Sequence, residues 1–177
     1  NTLPTGRNLF GINAEATPGV RAWDEGKALA KSTLDRSYRK HGEYPRKVSY
    51  TFWAGEFIDT EGATLAQALY MLGVAPVRDG MNRVTDLRLI PSAELGRPRI
   101  DVVVQTSGQL RDVAASRLEL LTKAVKMVAQ SENDTCGNYV SEGTVESERI
   151  LLEKGFSPKE ARELSTVRVF GGAGYGT

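Results

Sequence analysis

The run Ile100-Asp101-Val102-Val103-Val104 constrains this chain more than any other segment. It is nearly all branched and apolar, with no polar alternation, which is the signature of a strand covered on both faces. Such strands belong to parallel sheets with helices on either side. The segment is therefore expected in a sheet interior, with parallel neighbours drawn from residues 48–53 and 167–170. The rest of the chain has the composition to build the covering layers. Forty per cent of its 177 residues are hydrophobic and 25% are charged, which excludes wholesale disorder.

The flanking pattern fits that expectation. Thr17-Pro18 reads as a helix start, with a capping threonine followed by a first-turn proline. Trp23, Ala30, Leu34 and Tyr38 then form one apolar stripe on a helix over 18–41. His41 and Gly42 close it, with basic residues in the last turn where the dipole favours them. Val48–Trp53 is rich in β-branched and aromatic residues and reads as a strand. Ala54–Gly62 reads as an acidic, glycine-bearing loop. Leu65, Ala66, Leu69 and Leu72 mark a helix ending at Gly73. Val74–Val77 is a short strand that Pro76 confines to an edge, and Val84–Ile90 is a weaker strand. Pro91 to Pro98 reads as a polar connection.

After Gln105-Thr106-Ser107-Gly108 a long helix carries the stripe Leu110, Ala114, Leu118, Leu121, Val125 and Val128. Residues 131–138 form a polar loop and Val140–Lys154 a helix. Ser157-Pro158-Lys159-Glu160 has the form of a capping box. A short helix to Leu164 then leads into the strand Val167–Phe170 and a glycine-rich tail over 171–177. The order predicts an α/β fold: a layered, mainly parallel sheet flanked by helices, of Rossmann or flavodoxin type. Residues 1–177 are read as one α/β domain cut from a larger protein, with 1–16 as an opening segment and 171–177 as a truncated tail.

Charge and composition narrow the function. Lys+Arg number 23 and Asp+Glu 22, so no net field draws the surface toward nucleic acid or anionic lipid. A single cysteine, Cys136, excludes an internal disulfide, and a single histidine, His41, excludes a multi-His metal site within these residues. No apolar run approaches the ~18 residues of a membrane span. There is no Walker loop and no Gly-x-Gly-x-x-Gly after a leading strand, so no ATPase activity is expected of the chain itself.

In open α/β sheets ligands bind beyond the carboxyl ends of the strands. Three segments leave strands there with glycine and polar residues, and they predict a crevice lined by Glu56, Asp59, Glu61, Ser107, Arg111 and Tyr175. Glu61 is read in the first turn of a helix, either as a dipole partner or as a functional carboxylate. Trp53, at a strand end, is open to two readings, core residue or stacking platform.

Taken together the segments carry a resemblance. Leu3-Pro4-Thr5-Gly6-Arg7-Asn8-Leu9-Phe10 resembles an "LPTGRN-aromatic" opening. Trp53-Ala54-Gly55-Glu56 and Thr60-Glu61-Gly62 resemble "WGT…RTEGE". Ala66–Pro76 resembles "AQALYLLGVRP", and Leu95–Val102 matches "LGRPRIDV" outright. Ser107-Gly108 with Arg111-Asp112 resembles "SGxFRD", and Arg168–Gly171 with Tyr175-Gly176 resembles "RIFG…YG". These motifs are those of the CobN and magnesium chelatase H family, the large subunits of class I metal chelatases, and the likeness reads as closer to CobN. Ala54-Gly55 in place of Gly-Thr, Leu110 in place of an aromatic, and a tail without proline depart from the family pattern.

The resemblance implies a segment that binds a tetrapyrrole, corrinoid or porphyrin, and helps insert or exchange its metal. Cobalt is the first expectation, with magnesium or iron as alternatives, and ATP enters only through partner ATPase subunits. It implies Glu61 and Glu56 as base, with Glu61 also a transient metal ligand. Trp53 and Tyr175 would lie against the ring, and Arg99, Ser107, Gly108 and Arg111 would grip the macrocycle and its carboxylates. Expected partners are the remainder of the CobN-like chain and the ATPase subunits, and the family default is cytoplasmic. The alternative implied is a scaffold or docking segment of a CobN-like haem-handling protein, with no site of its own.

Overall fold

The computed structural model describes residues 13–171. Strand β4 (Asp101–Thr106) is the centre of a three-stranded parallel sheet. Strand β1 (Lys47–Phe52) lies on one side and β5 (Val169–Gly171) on the other. The expected central placement and both expected parallel neighbours are therefore present, and the class is α/β.

Register sets which side chains share a face. Val48 pairs with Val102 and Tyr50 with Val104, and this row looks onto the core. Helix α3 (Ala63–Leu72) packs there and buries eight of its ten residues. Its small residues let α1 (Val20–His41) approach closely, and Gly26 meets Ala63 and Ala66 with no room for a side chain. The long helix α5 (Gly108–Ala129) completes this layer, burying the predicted stripe from Leu110 to Val128.

Among the described residues the opposite face is only partly covered, against the expectation of helices on both sides. Helix α6 (Tyr139–Glu153) packs Gly143 over Asp101. Beyond it Val103 is half-buried, and Ser49, Thr51 and Gln105 are exposed. The apolar run reported a central strand correctly but not how far the second layer extends.

Other differences have local causes. Ala54–Gly62 is not a loop: Ala54–Thr60 is a helix, α2, nucleated by burial of Ala54 and Phe57 one turn apart. Nothing in its sequence signals a cap, since Trp53 stands at the N-cap without a side-chain bond. The first long helix is capped by Gly19 rather than Thr17, whose hydroxyl closes the preceding 3-10 turn (Ala14–Ala16) by donating to Ala14 O at 2.6 Å. Strands β2 (Val74–Arg78) and β3 (Val84–Leu89) form a separate antiparallel ribbon. A two-stranded ribbon is all edge, so Pro76 costs it no interior hydrogen bond. The 91–98 connection contains a short helix, α4 (Ser92–Leu95). The predicted capping box at Ser157 and Glu160 opens α7 (Pro158–Leu164).

Candidate functional site

The carboxyl ends of the three parallel strands are in register: Phe52 pairs with Thr106, and Thr106 with Gly171. Trp53 and Ser107 therefore leave the sheet side by side at one rim. Trp53 is 60% exposed, which excludes the core reading and leaves its indole available. Ser107 caps α5, its hydroxyl accepting from the Leu110 amide at 3.1 Å, and Gly108 is the first helical residue.

Arg111 lies one turn further along α5. Its Nη2 donates to Gly171 O at 3.3 Å, and its Nε is buried with no hydrogen-bond partner among the described residues. Arg111 is also one of the residues lining a cavity of about 380 Å³ that runs along α5 to Lys126, between that helix and the segment from Glu163 to Val169. A buried donor left open is costly, so Arg111 is the rim residue most in need of an acceptor.

Glu56 sits in the first turn of α2, directly after the strand end. Its Oε2 accepts from the hydroxyls of Thr64 at 2.8 Å and Thr60 at 3.2 Å, which hold one orientation of the carboxylate. Sequence reasoning missed both threonines, although Glu56, Thr60 and Thr64 stand at four-residue intervals. Glu61 is not in a first helical turn as expected. It is the C-cap of α2, in the left-handed region at φ 56°, followed by Gly62 at φ 86°. That puts it five residues, about 7.5 Å along the helix axis, beyond Glu56. Its carboxylate turns toward Gly19 at the N-terminus of α1. The three acids of this segment thus diverge, and among the described residues no three His, Cys, Asp or Glu side chains converge as a metal cage. Tyr175 lies outside the described residues.

Arg99 is not at the rim. It is 2% exposed, with Nε on Asp134 Oδ1 at 2.7 Å, Nη1 on Gly73 O at 2.6 Å and Nη2 on Ile90 O at 2.6 Å. Arg97 is buried beside it, donating to Tyr70 O at 2.5 Å and Met71 O at 3.0 Å. The two arginines therefore satisfy the last carbonyls of α3, where the helix dipole favours cations. Burial lowers the Arg97 pKa to about 10. Asp101, from the same motif, accepts from Arg168 Nε at 2.8 Å, deep in the interior. The Leu95–Val102 motif is thus architectural: it ties α3, the ribbon and β5 to the central strand. The two arginines flanking Pro98 ahead of an apolar strand were its only sequence signal.

The sequence matches the CobN/Magnesium Chelatase family over residues 1–177. It is 39% identical over 172 residues to the chloroplastic magnesium-chelatase subunit ChlH of Oryza sativa subsp. indica, covering 97% of this chain and 12% of that protein. It is 36% identical over 172 residues to the aerobic cobaltochelatase subunit CobN of Sinorhizobium sp, covering 97% and 13%. Identities to CobN-type and to magnesium-chelatase H relatives overlap, at 36–38% and 33–39%, so identity does not separate the two branches. Among solved structures, the catalytic subunit of cobaltochelatase from Mycobacterium tuberculosis superposes with a TM-score of 0.78 at 38% identity, over 89% of this chain and 13% of that one. The chain spans only 12–13% of the length of these relatives. With a family match along its whole length and relatives above 30% identity, the chain belongs to the CobN/magnesium chelatase family.

Proposed function

We propose that this segment binds a tetrapyrrole at the carboxyl rim of its sheet and takes part in inserting or exchanging the macrocycle's metal. The observation that carries the reading is the shared rim: an exposed Trp53 and an Arg111 with an open buried donor, beside strand ends held in register. Trp53 supplies a flat apolar surface for the ring. Arg111 matches a propionate or acetate side chain with its planar fork. Ser107 and Gly108 place the free amides of the α5 N-terminus near the same carboxylates.

Metal insertion also requires a base for the pyrrole N–H protons. Glu56, oriented by Thr60 and Thr64, takes that role. Glu61 is the second carboxylate and the transient ligand for the incoming metal, and its left-handed backbone is strain of the kind that gathers at functional sites. The metal is substrate here. Hard carboxylates suit cobalt or magnesium, and cobalt is placed first because the CobN relative and the solved neighbour are cobaltochelatases. Nucleotide hydrolysis falls to separate subunits in this reading.

Titration of the chain with haem, protoporphyrin and a cobalt-free corrinoid, followed by absorbance, tests the binding claim. A saturable band shift at one equivalent with at least one of them supports it. No shift with any of the three overturns it in favour of a scaffold segment. One observation favours that second reading: the motif most specific to the family, Leu95–Val102, places Arg97, Arg99 and Asp101 in purely interior roles.

A further inference from the structure

The layer formed by α6, α7 and β5 is rich in apolar residues that it does not bury. Helix α6 has 15 residues and buries only Val140, and α7 buries only Ala161. Ile150, Leu164, Val167 and Phe170 are 38%, 45%, 40% and 44% exposed. They are not scattered. All four line one groove of about 490 Å³ that opens on the uncovered face of the parallel sheet, with half-buried Val103 of the central strand among its walls. Contiguous exposed apolar surface of this kind marks an interaction site rather than ordinary surface.

The charges around the groove have one sign. Among the described residues Lys47, Lys154 and Arg168 line it, and no acid does. The Arg168 guanidinium is committed to Asp101, Ser165 O and Thr144. Lys47 Nζ lies 4.0 Å from Asp101 Oδ2 but stays about half exposed, and Lys154 is at the surface, so both ammonium groups can face a partner. The groove runs over a sheet face, not a sheet edge, and the backbone of β4 there is already paired with β1 and β5. A strand added by backbone pairing has nothing to bond to at this place. A helix satisfies its own backbone and offers a stripe of side chains, which is how layered α/β sheets close their faces.

We propose that this groove is the docking site of an amphipathic helix whose apolar stripe is flanked by Asp or Glu, and that the helix completes the second covering layer of the sheet. The apolar stripe seats on Phe170, Val167, Ile150 and Val103, and the flanking carboxylates reach Lys47 and Lys154. Relatives of which this chain spans 12–13% have ample further polypeptide to supply such a helix. The proposal concerns the face opposite the core layer and does not depend on tetrapyrrole binding at the rim.

The test uses a fluorescein-labelled peptide of about 18 residues, long enough to hold some helix in water, with leucines at i, i+3, i+4 and i+7 and glutamates beside them. A second peptide keeps the leucines and replaces the glutamates with lysines. Anisotropy titration against the 177-residue chain is expected to give saturable one-to-one binding of the acidic peptide and roughly fivefold weaker binding of the basic one, the scale of two exposed charge pairs. Phe170→Lys is expected to remove binding. Lys47→Gln with Lys154→Gln, both at exposed positions, is expected to bring the two peptides to equal affinity, with circular dichroism unchanged. Equal affinity of both peptides for the unmutated chain overturns the acidic chemistry. Absence of saturable binding overturns the helix. Dimerisation of the chain in sedimentation, lost in Phe170→Lys, assigns the groove to a second copy and overturns it as well.

Discussion

The amide of Gly19 donates to the carbonyl oxygen of Glu61 at 3.1 Å, and a carboxylate oxygen of Glu61 lies 2.5 Å from where a Gly19 side chain would begin. The N-terminus of α1 and the α2–α3 junction are therefore fastened to each other here. The carboxylate occupies the space the glycine leaves open, beside the positive end of a 22-residue helix. A residue read from sequence as a first-turn acid of its own helix thus serves the start of a different one.

Gly19→Ala is expected to cost less than about 1 kcal/mol, because the clash is with the far end of a flexible side chain that can swing aside. Gly26→Ala is the contrasting case: its Cβ would meet Ala66 Cβ at 2.6 Å and the Ala63 carbonyl oxygen at 2.7 Å. Overpacking against backbone costs about 1–3 kcal/mol. Urea unfolding of both variants checks the ranking, and equal losses would count against the close α1–α3 crossing.

Arg168→Met is expected to destabilise by about 3–5 kcal/mol, since it strands the Asp101 carboxylate, which is 1% exposed. Adding Asp101→Asn removes the stranded charge and is expected to restore a large part of that loss. A double-mutant cycle in which the two effects simply add would show that the pair does not interact as described.

Tyr50 faces the core from β1, and burial raises its pKa from 10.0 to about 12. The folded state holds the phenol proton more tightly than the unfolded chain does. Its stabilising contribution is complete below pH 10 and is lost as pH rises through 12. Unmutated protein should therefore lose stability relative to Tyr50→Phe over that window, by roughly 2 kcal/mol at its upper end. Arg97 titrates in both proteins and cancels from the difference. Parallel stability curves for the two from pH 8 to pH 11.5 would contradict the assignment.

Trp53→Ala is expected to weaken tetrapyrrole binding about tenfold while leaving the unfolding midpoint nearly unchanged, because the side chain is largely exposed. The same residue provides the readout. Trp53 stands at the rim itself, whereas Trp23 is packed edge-on against Tyr70 at 6.1 Å, so the short-range part of the quenching by a tetrapyrrole bound at the rim should fall on Trp53. Quenching that survives Trp53→Ala at full strength would move the site elsewhere.

Glu56→Gln keeps an oxygen that can accept from Thr60 and Thr64 and removes only the charge. On the proposed function it is expected, in the full-length protein, to lower metal exchange about 10²-fold, the scale of a lost general base, with little change in tetrapyrrole affinity. Unaltered exchange, with only a small loss of thermal stability, would reduce Glu56 to a residue that braces α2 against α3.

The sequence by itself determined the strands and the longer helices in their order, the central place of Ile100–Val104, the parallel neighbours and the family. Each rests on local information: periodicity, caps and motif strings are properties of consecutive residues. It also located the rim, because the segments leaving Phe52, Thr106 and Gly171 are legible as strand exits. Tertiary structure decided the rest. Residues 54–60 became a helix because Ala54 and Phe57 found a core to enter, a gain no local propensity records. Arg99 turned inward because the carbonyls ending α3 were left without donors, and those carbonyls belong to residues far from it in the chain. Trp53 stayed outside because the strand ends at Phe52, and Glu61 was drawn to Gly19 by the approach of α1. The branched run of β4 matched burial on both faces, yet α6 covers only its first residues. How far a neighbouring layer reaches is set by helix placement, and no property of the strand's own residues encodes it.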